Sequence, residues 1–221
     1  MKKQMKLSLA LVGLAAVITG PGTQTALAVP AHACTLPAPS GYTVRNGTPG
    51  SDSVFLASNT MFFGNGGNDK VFGLSGNYII CLGSGSDKVT LSGNGNAEID
   101  AGNGRNTILI GSGTGTITTG TGSDKITVGN GTRTINAGNG DNKIISTIGS
   151  QDITTGNGDD IIYSGPGADT ISAGNGDNFV DAGAGDDTVT AGTGDDEIDG
   201  GDDTDTCEGG SGLNTIVNCE L

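Results

Sequence analysis

The sequence predicts an all-β chain, a parallel β-solenoid of about nineteen nine-residue rungs with eighteen residues per coil. Three observations carry that expectation. The stretch Thr155–Asp199 is five nonapeptides without a gap (TGNGDDIIY, SGPGADTIS, AGNGDNFVD, AGAGDDTVT, AGTGDDEID), each of the form x-Gly-x-Gly-x-(Asp/Asn)-x-(Ile/Val)-x. A fixed period of this kind marks a solenoid, in which each unit buries its apolar face only against its neighbours. Glycine supplies 42 of 221 residues and recurs at alternate positions, a density that excludes helix over most of the chain. The same register extends from the central block in both directions.

Ahead of the repeats, the chain opens with Lys2, Lys3 and Lys6, an apolar run from Leu7 to Ile18, and small residues ending in Ala-x-Ala triplets. Residues 1–33 read as a secretory signal peptide whose apolar run is too short to span a bilayer. Cleavage is expected after Ala28 or Ala33, the second being favoured because Pro30 lies close to the first. A lipid anchor on Cys34 is disfavoured, since that cysteine lies well beyond the apolar run instead of directly after it. No other segment is expected to cross a membrane. Export leads to an oxidising compartment, and the four cysteines are an even number. Three pairings are open; Cys34–Cys81 and Cys207–Cys219 are preferred as local staples. Residues 34–46 are assigned to an N-terminal capping segment, 47–217 to the repeats, and 218–221 to a C-terminal cap tied by a disulfide.

Within a rung, the x-Gly-x-Gly-x segment needs backbone angles that glycine supplies, so it forms a turn. The β-branched residues around position eight form a short strand. Alternation sends position eight inward and positions seven and nine outward. Position eight runs from Val54, Phe62, Val71, Ile80 and Val89 to Ile198, Cys207 and Ile216, with one residue too few near Phe62 and one too many near Leu91. Two rungs close one flattened coil, so odd rungs stack on odd and even on even, about 4.8 Å apart.

Beyond residue 33 there are 24 acids and 7 bases. That balance argues against nucleic acid or anionic lipid as a partner and for cations. From Cys34 to Gly149 seven acids are matched by seven bases, whereas from Ser150 onward there are seventeen acids and no base. One architecture therefore carries two electrostatic halves. Catalysis finds no foothold: the single histidine, His32, falls in the expected leader, and adjacent acids such as Asp186 and Asp187 suit a cation better than acid–base work. The chain is expected not to be an enzyme.

Position six sorts by parity. Odd rungs read Asp52, Asp69, Asp87, Asn106, Asp124, Asn142, Asp160, Asn178, Asp196 and Asn214, an unbroken line of Asp and Asn along one edge. Even rungs read Thr60, Tyr78, Ala97, Gly115, Arg133 and Gln151, then Asp169, Asp187 and Asp205. A hard cation such as Ca²⁺ takes roughly six to eight oxygens from carboxylates and backbone carbonyls. Glycines at positions two and four let a turn aim its carbonyls inward, and Asp at position six adds charge.

The repeat resembles the RTX, or haemolysin-type, calcium-binding nonapeptide Gly-Gly-x-Gly-x-Asp-x-(large aliphatic)-x over roughly Gly47 to Val217. The closest matches are Gly158-Asp159-Asp160, Gly167-Ala168-Asp169, Gly185-Asp186-Asp187 and Gly194-Asp195-Asp196, with Gly200-Gly201-Asp202-Asp203-Thr204-Asp205 looser. That resemblance implies a parallel β-roll with Ca²⁺ shared between successive turns of one edge. Asp160, Asp169, Asp187, Asp196 and Asp205 are the candidate metal ligands, with Asp52, Asp69, Asp87, Asp124 and Asn178 as a second set. Position one departs from the family pattern, being more often Ala, Ser or Thr than Gly. So does position six from Tyr78 to Gln151, where no calcium is expected and Arg133 is expected to place its own cation. For the Asn turns, and for Asp52 beside Pro49, the competing role is to cap the turn by hydrogen bonds to backbone.

On the outer faces, Lys70, Lys88, Lys125 and Lys143 form a row at position seven of odd rungs that discourages sheet stacking. Even rungs carry the pairs Thr116/Thr118, Thr134/Asn136, Thr170/Ser172 and Thr188/Thr190. Leu109, Ile145, Ile161, Tyr163 and Phe179 make a contact patch for a second copy or a protein partner. The chain is expected to be a secreted, extracellular, non-enzymatic calcium-binding protein whose folding is Ca²⁺-coupled in its C-terminal third. Its rival is a metal-independent structural, adhesive or ice-binding solenoid using the Thr-rich or apolar face.

Overall fold

In the computed structural model, Cys34 and residues 37–220 are described, and the expected signal peptide lies outside them. Odd-numbered strands, from β1 (Thr43–Asn46) to β19 (Thr206–Glu208), form one ten-stranded parallel sheet. Even-numbered strands, from β2 (Ser53–Leu56) to β20 (Thr215–Val217), form the other. The chain is an all-β, parallel β-roll with eighteen residues per coil: Ile126 lies opposite Ile144, and Ile144 opposite Ile162. Two early coils deviate. Thr43 pairs with Thr60 and Ser53 with Lys70, a step of seventeen, while Tyr78 pairs with Ala97 and Lys88 with Thr107, a step of nineteen. The missing and additional residues expected near Phe62 and Leu91 are absorbed in the turns, and the stack continues unbroken.

Position-eight side chains from the two sheets meet in one continuous core, with Phe62, Val71, Ile80, Ile117, Ile126, Ile135, Ile144, Ile153 and Ile162 fully buried. The turns stack this closely because position four, Ser58 and Asp203 apart, carries no side chain. Gly113, for example, lies at φ 128°, and a Cβ there would stand 2.8 Å from the Gly95 carbonyl carbon.

The two ends of the stack close differently. Segment 34–46 divides: β1 adds a strand ahead of the first rung legible in the repeat, and Arg45 stands in register with Phe62 at the open end of the core. Its guanidinium donates to the Phe55 carbonyl at 3.0 Å, a polar finish that an end coil needs. Cys34, Ala38 and Tyr42 pack with Met61, Phe63, Ile79 and Cys81 in a second cluster. The Cys34–Cys81 disulfide, with Cα atoms 5.7 Å apart, pins that segment to the sheet. At the far end, Cys207–Cys219 holds both half-cystines against the core while Ile216 stays 40% exposed. Among the described residues no helix is long and apolar enough to cross a membrane.

Gly113→Ala forces a side chain onto left-handed backbone and is expected to destabilise the fold by about 1–3 kcal/mol. Gly50→Ala meets only the Thr48 hydroxyl at 3.8 Å and is expected to leave the melting temperature unchanged. Thermal unfolding followed by circular dichroism measures both.

Candidate metal sites along the two edges

Position six is where each turn meets its strand, and its side chain folds inward beneath the turn. Asp69, Asp87, Asp124, Asp160, Asp169, Asp187, Asp196 and Asp205 are all at most 2% exposed. One oxygen of each is spoken for. The position-six N–H of one coil donates to Oδ1 at position six of the next, as from Asp52 to Asp69 (2.8 Å), Asp69 to Asp87 (2.7 Å) and Asn142 to Asp160 (2.8 Å). Along the edge of odd rungs, the Asx edge, this ladder runs unbroken from Asp52 to Asn214. On the opposite, mixed edge it starts at Gln151, whose N–H donates to Asp169 (2.5 Å), and continues to Asp187 (2.7 Å) and Asp205 (2.8 Å). Glu220 ends it by accepting the Asp205 N–H at 2.7 Å. Asp and Asn thus satisfy a backbone donor at each junction between turn and strand.

The second oxygen is not satisfied. Oδ2 of Asp69, Asp87, Asp124, Asp160, Asp169, Asp187, Asp196 and Asp205 is buried without a hydrogen-bond partner; the Thr119, Thr155 and Ser164 hydroxyls lie beside the Asp124, Asp160 and Asp169 carboxylates but give their proton to backbone carbonyls. Backbone carbonyls stand near it: a Cβ on Gly64 would overlap Asp69 Oδ2 and lie 2.9 Å from the Leu82 carbonyl oxygen. On Gly200 it would lie 2.8 Å from Asp205 Oδ2 and overlap the Asn218 carbonyl oxygen. A buried carboxylate oxygen among carbonyls and without a donor is costly. The donor set, all oxygen and on flexible glycine turns, suits a hard divalent cation. Among the described residues no three carboxylates, cysteines or histidines gather about one point, so carbonyls would supply most of the ligands.

Arg133 shows what such carbonyls accept. Gly115 leaves its turn without a position-six side chain, and Arg133 of the next coil reaches into it. The guanidinium is buried, with Nη1 donating to the Thr114 carbonyl and Nη2 to the Gly111 carbonyl, both at 3.0 Å. Burial lowers its pKa, yet the carbonyls hold it with no carboxylate beside it. The cation expected from the sequence sits in the turn of the neighbouring coil.

Two members of the second candidate set differ from the rest. Asp52 Oδ2 accepts from the Thr48 N–H (2.6 Å) and hydroxyl (3.2 Å), so it caps the Pro49 turn. Asn178 directs a donor into its turn, Nδ2 reaching the Gly176 carbonyl at 2.9 Å. Position one contributes buried hydroxyls that the sequence did not flag: Thr119, Thr155 and Ser164 donate to the carbonyls of Ala137 (2.6 Å), Ala173 (2.6 Å) and Ala182 (2.7 Å). Their only signal is a hydroxyl residue where alanine would also fit.

Desolvation raises the pKa of Asp69, Asp87, Asp124 and Asp160. It pushes Asp169 up to about 6. Asp187 is pushed up to about 7, with burial first and the Asp169, Asp205 and Asp186 carboxylates adding to it.

The outer faces carry the other candidates in register. Leu109, Thr127, Ile145 and Tyr163 share one column, and Ile161 pairs with Phe179. The Tyr163 and Phe179 rings lie 5.5 Å apart, and Lys143 Nζ stands 5.6 Å from the Tyr163 ring centre. On the other sheet Thr170, Thr188 and Thr206 form a column that Asp152 interrupts.

A family model described as the RTX calcium-binding nonapeptide repeat (4 copies) matches residues 57–89, 109–144, 145–180, 154–189 and 181–216, well over half of the chain. No curated protein and no solved structure matches it significantly.

Raised carboxyl pKa values mean that the folded chain holds protons more tightly than the unfolded one. In chelator, stability is therefore greatest near pH 4 and declines as pH rises through about 6 to about 7, the values at Asp169 and Asp187. Melting temperatures in EDTA from pH 4.5 to 8 should fall along that series.

Proposed function

Since the chain belongs to the RTX calcium-binding nonapeptide repeat family, we propose that it is an exported, non-enzymatic calcium-binding β-roll whose C-terminal third takes its fixed shape on binding Ca²⁺. The observation that carries this reading is the row of buried Asp Oδ2 atoms with no hydrogen-bond partner. Asp160, Asp169, Asp187, Asp196 and Asp205 place such oxygens on both edges of a region with no Lys or Arg after Lys143. Asp69, Asp87 and Asp124 offer further sites on the Asx edge.

Bound Ca²⁺ supplies positive charge and a demand for several oxygens. The chain's own residues do the rest. Glycines at positions two and four bring carbonyls to the turn, Oδ1 fixes the carboxylate to the coil before it, and Oδ2 is left for the ion. An oxidising, calcium-rich exterior suits both the expected leader and the two disulfides. The patch around Ile161 and Phe179 is the contact surface in this reading, for a second copy or a protein partner.

Millimolar Ca²⁺ is expected to raise the melting temperature and sharpen the β circular dichroism spectrum, with EDTA reversing both. Asp187→Ala should lower the calorimetric stoichiometry. An unchanged spectrum and melting temperature would sink the proposal; with ice recrystallisation inhibition lost in Thr118→Lys, they would assign the work to the Thr face. Any concentration-dependent self-association seen by sedimentation should be lost in Phe179→Lys.

A further inference from the structure

The Asx edge is not uniform, and its irregularity has a period. From Asn106 onward position six alternates: Asn106, Asp124, Asn142, Asp160, Asn178, Asp196, Asn214. Each amide does what a carboxylate cannot. Asn106 Nδ2 donates to the Gly102 and Gly104 carbonyls (both 3.1 Å). Asn142 Nδ2 donates to Gly140 (2.7 Å), Asn178 Nδ2 to Gly176 (2.9 Å) and Asn214 Nδ2 to Gly209 (2.7 Å). In the intervening Asp turns the corresponding atom is the unpartnered Oδ2 of Asp124, Asp160 and Asp196.

The backbone alternates in step. Gly102, Gly138, Gly174 and Gly210, at position two of the Asn turns, lie at φ between 68° and 72°, whereas Gly120, Gly156 and Gly192 of the Asp turns stay out of the left-handed region. Position three alternates as well. Asn103, Asn139 and Asn175 accept, through Oδ1, the N–H of Thr121 (2.9 Å), Asn157 (2.9 Å) and Thr193 (3.1 Å) in the Asp turn that follows. On the mixed edge, where the family pattern fails, Gln151 Nε2 donates to the Gly131 and Gly149 carbonyls, both at 2.6 Å.

We propose that the Asn106, Asn142, Asn178, Asn214 and Gln151 amides, with the Arg133 guanidinium, are built-in replacements for the cation. In those turns a side-chain N–H stands among the carbonyls where an Asp turn takes Ca²⁺. The Asx edge then alternates self-filled with metal-filled turns, repeating every 36 residues from Asn106 to Asn214. Its cations are two coils apart, roughly twice the ~4.8 Å strand spacing. The part concerning cation number rests on the calcium reading above; the part concerning the amides does not.

Two opposite exchanges test it by melting in EDTA and by calcium calorimetry of the full chain. Asp160→Asn, whose turn keeps both glycines, is expected to melt higher than wild type in EDTA and to bind one Ca²⁺ fewer. Asn142→Asp is expected to melt lower in EDTA, to be restored by Ca²⁺, and to bind one more. If Asp160→Asn melts at or below wild type in EDTA, the replacement idea is wrong, whether or not Asn142→Asp folds. If wild type binds Ca²⁺ and folded Asn142→Asp gains no site, the idea is equally overturned. Wild type that binds no Ca²⁺ overturns the calcium reading, while the EDTA comparison still decides the role of the amides.

Discussion

Stacking identical turns in a parallel roll places their carbonyl oxygens in columns with a spacing of about 4.8 Å. Where backbone N–H groups leave those oxygens unanswered, a side-chain donor or a cation can stand among them. The residue at position six decides what that is, and most other features of the molecule accommodate the choice. Asn and Gln bring an N–H, Arg133 brings a full charge from the neighbouring coil, and Asp brings one more oxygen.

That choice divides the molecule. Up to Gln151 the mixed edge holds Thr60, Tyr78, Ala97, Arg133 and Gln151, all buried, and the outer face carries lysines. Beyond it both edges hold Asp and the bases cease. Since each coil leans only on its neighbours, the earlier coils present a formed sheet edge to the later ones. Glu220 serves the last coil in the same manner, its carboxylate taking the Asp205 N–H that a further Asp would otherwise accept.

Much of this was legible in the sequence. The period of nine, the inward position eight and the pairing of like parity all follow from glycine spacing and strand alternation, and the register found along Ile126, Ile144 and Ile162 is the one they imply. Both preferred disulfides are present. Other features left little trace. β1 was hidden because its core position holds Arg45, which matches no apolar pattern. The packing of Cys34, Ala38 and Tyr42 on Met61 and Ile79 depends on a nonrepeating segment. Asp and Asn along one edge read as a single ladder because both accept the same N–H through Oδ1. Only the second atom of each side chain tells them apart, and its surroundings require three dimensions, although the strict alternation was visible all along.

On the proposed reading, the atom at the tip of position six determines whether a turn takes a cation. An anomalous difference map from crystals grown in calcium tests it most directly. Peaks are expected beside Oδ2 in Asp turns such as Asp160, Asp169, Asp187 and Asp196, and none in the turns of Asn142, Asn178, Gln151 or Gly115. Peaks in the Asn142 and Asn178 turns, or none beside the Asp residues, would contradict it.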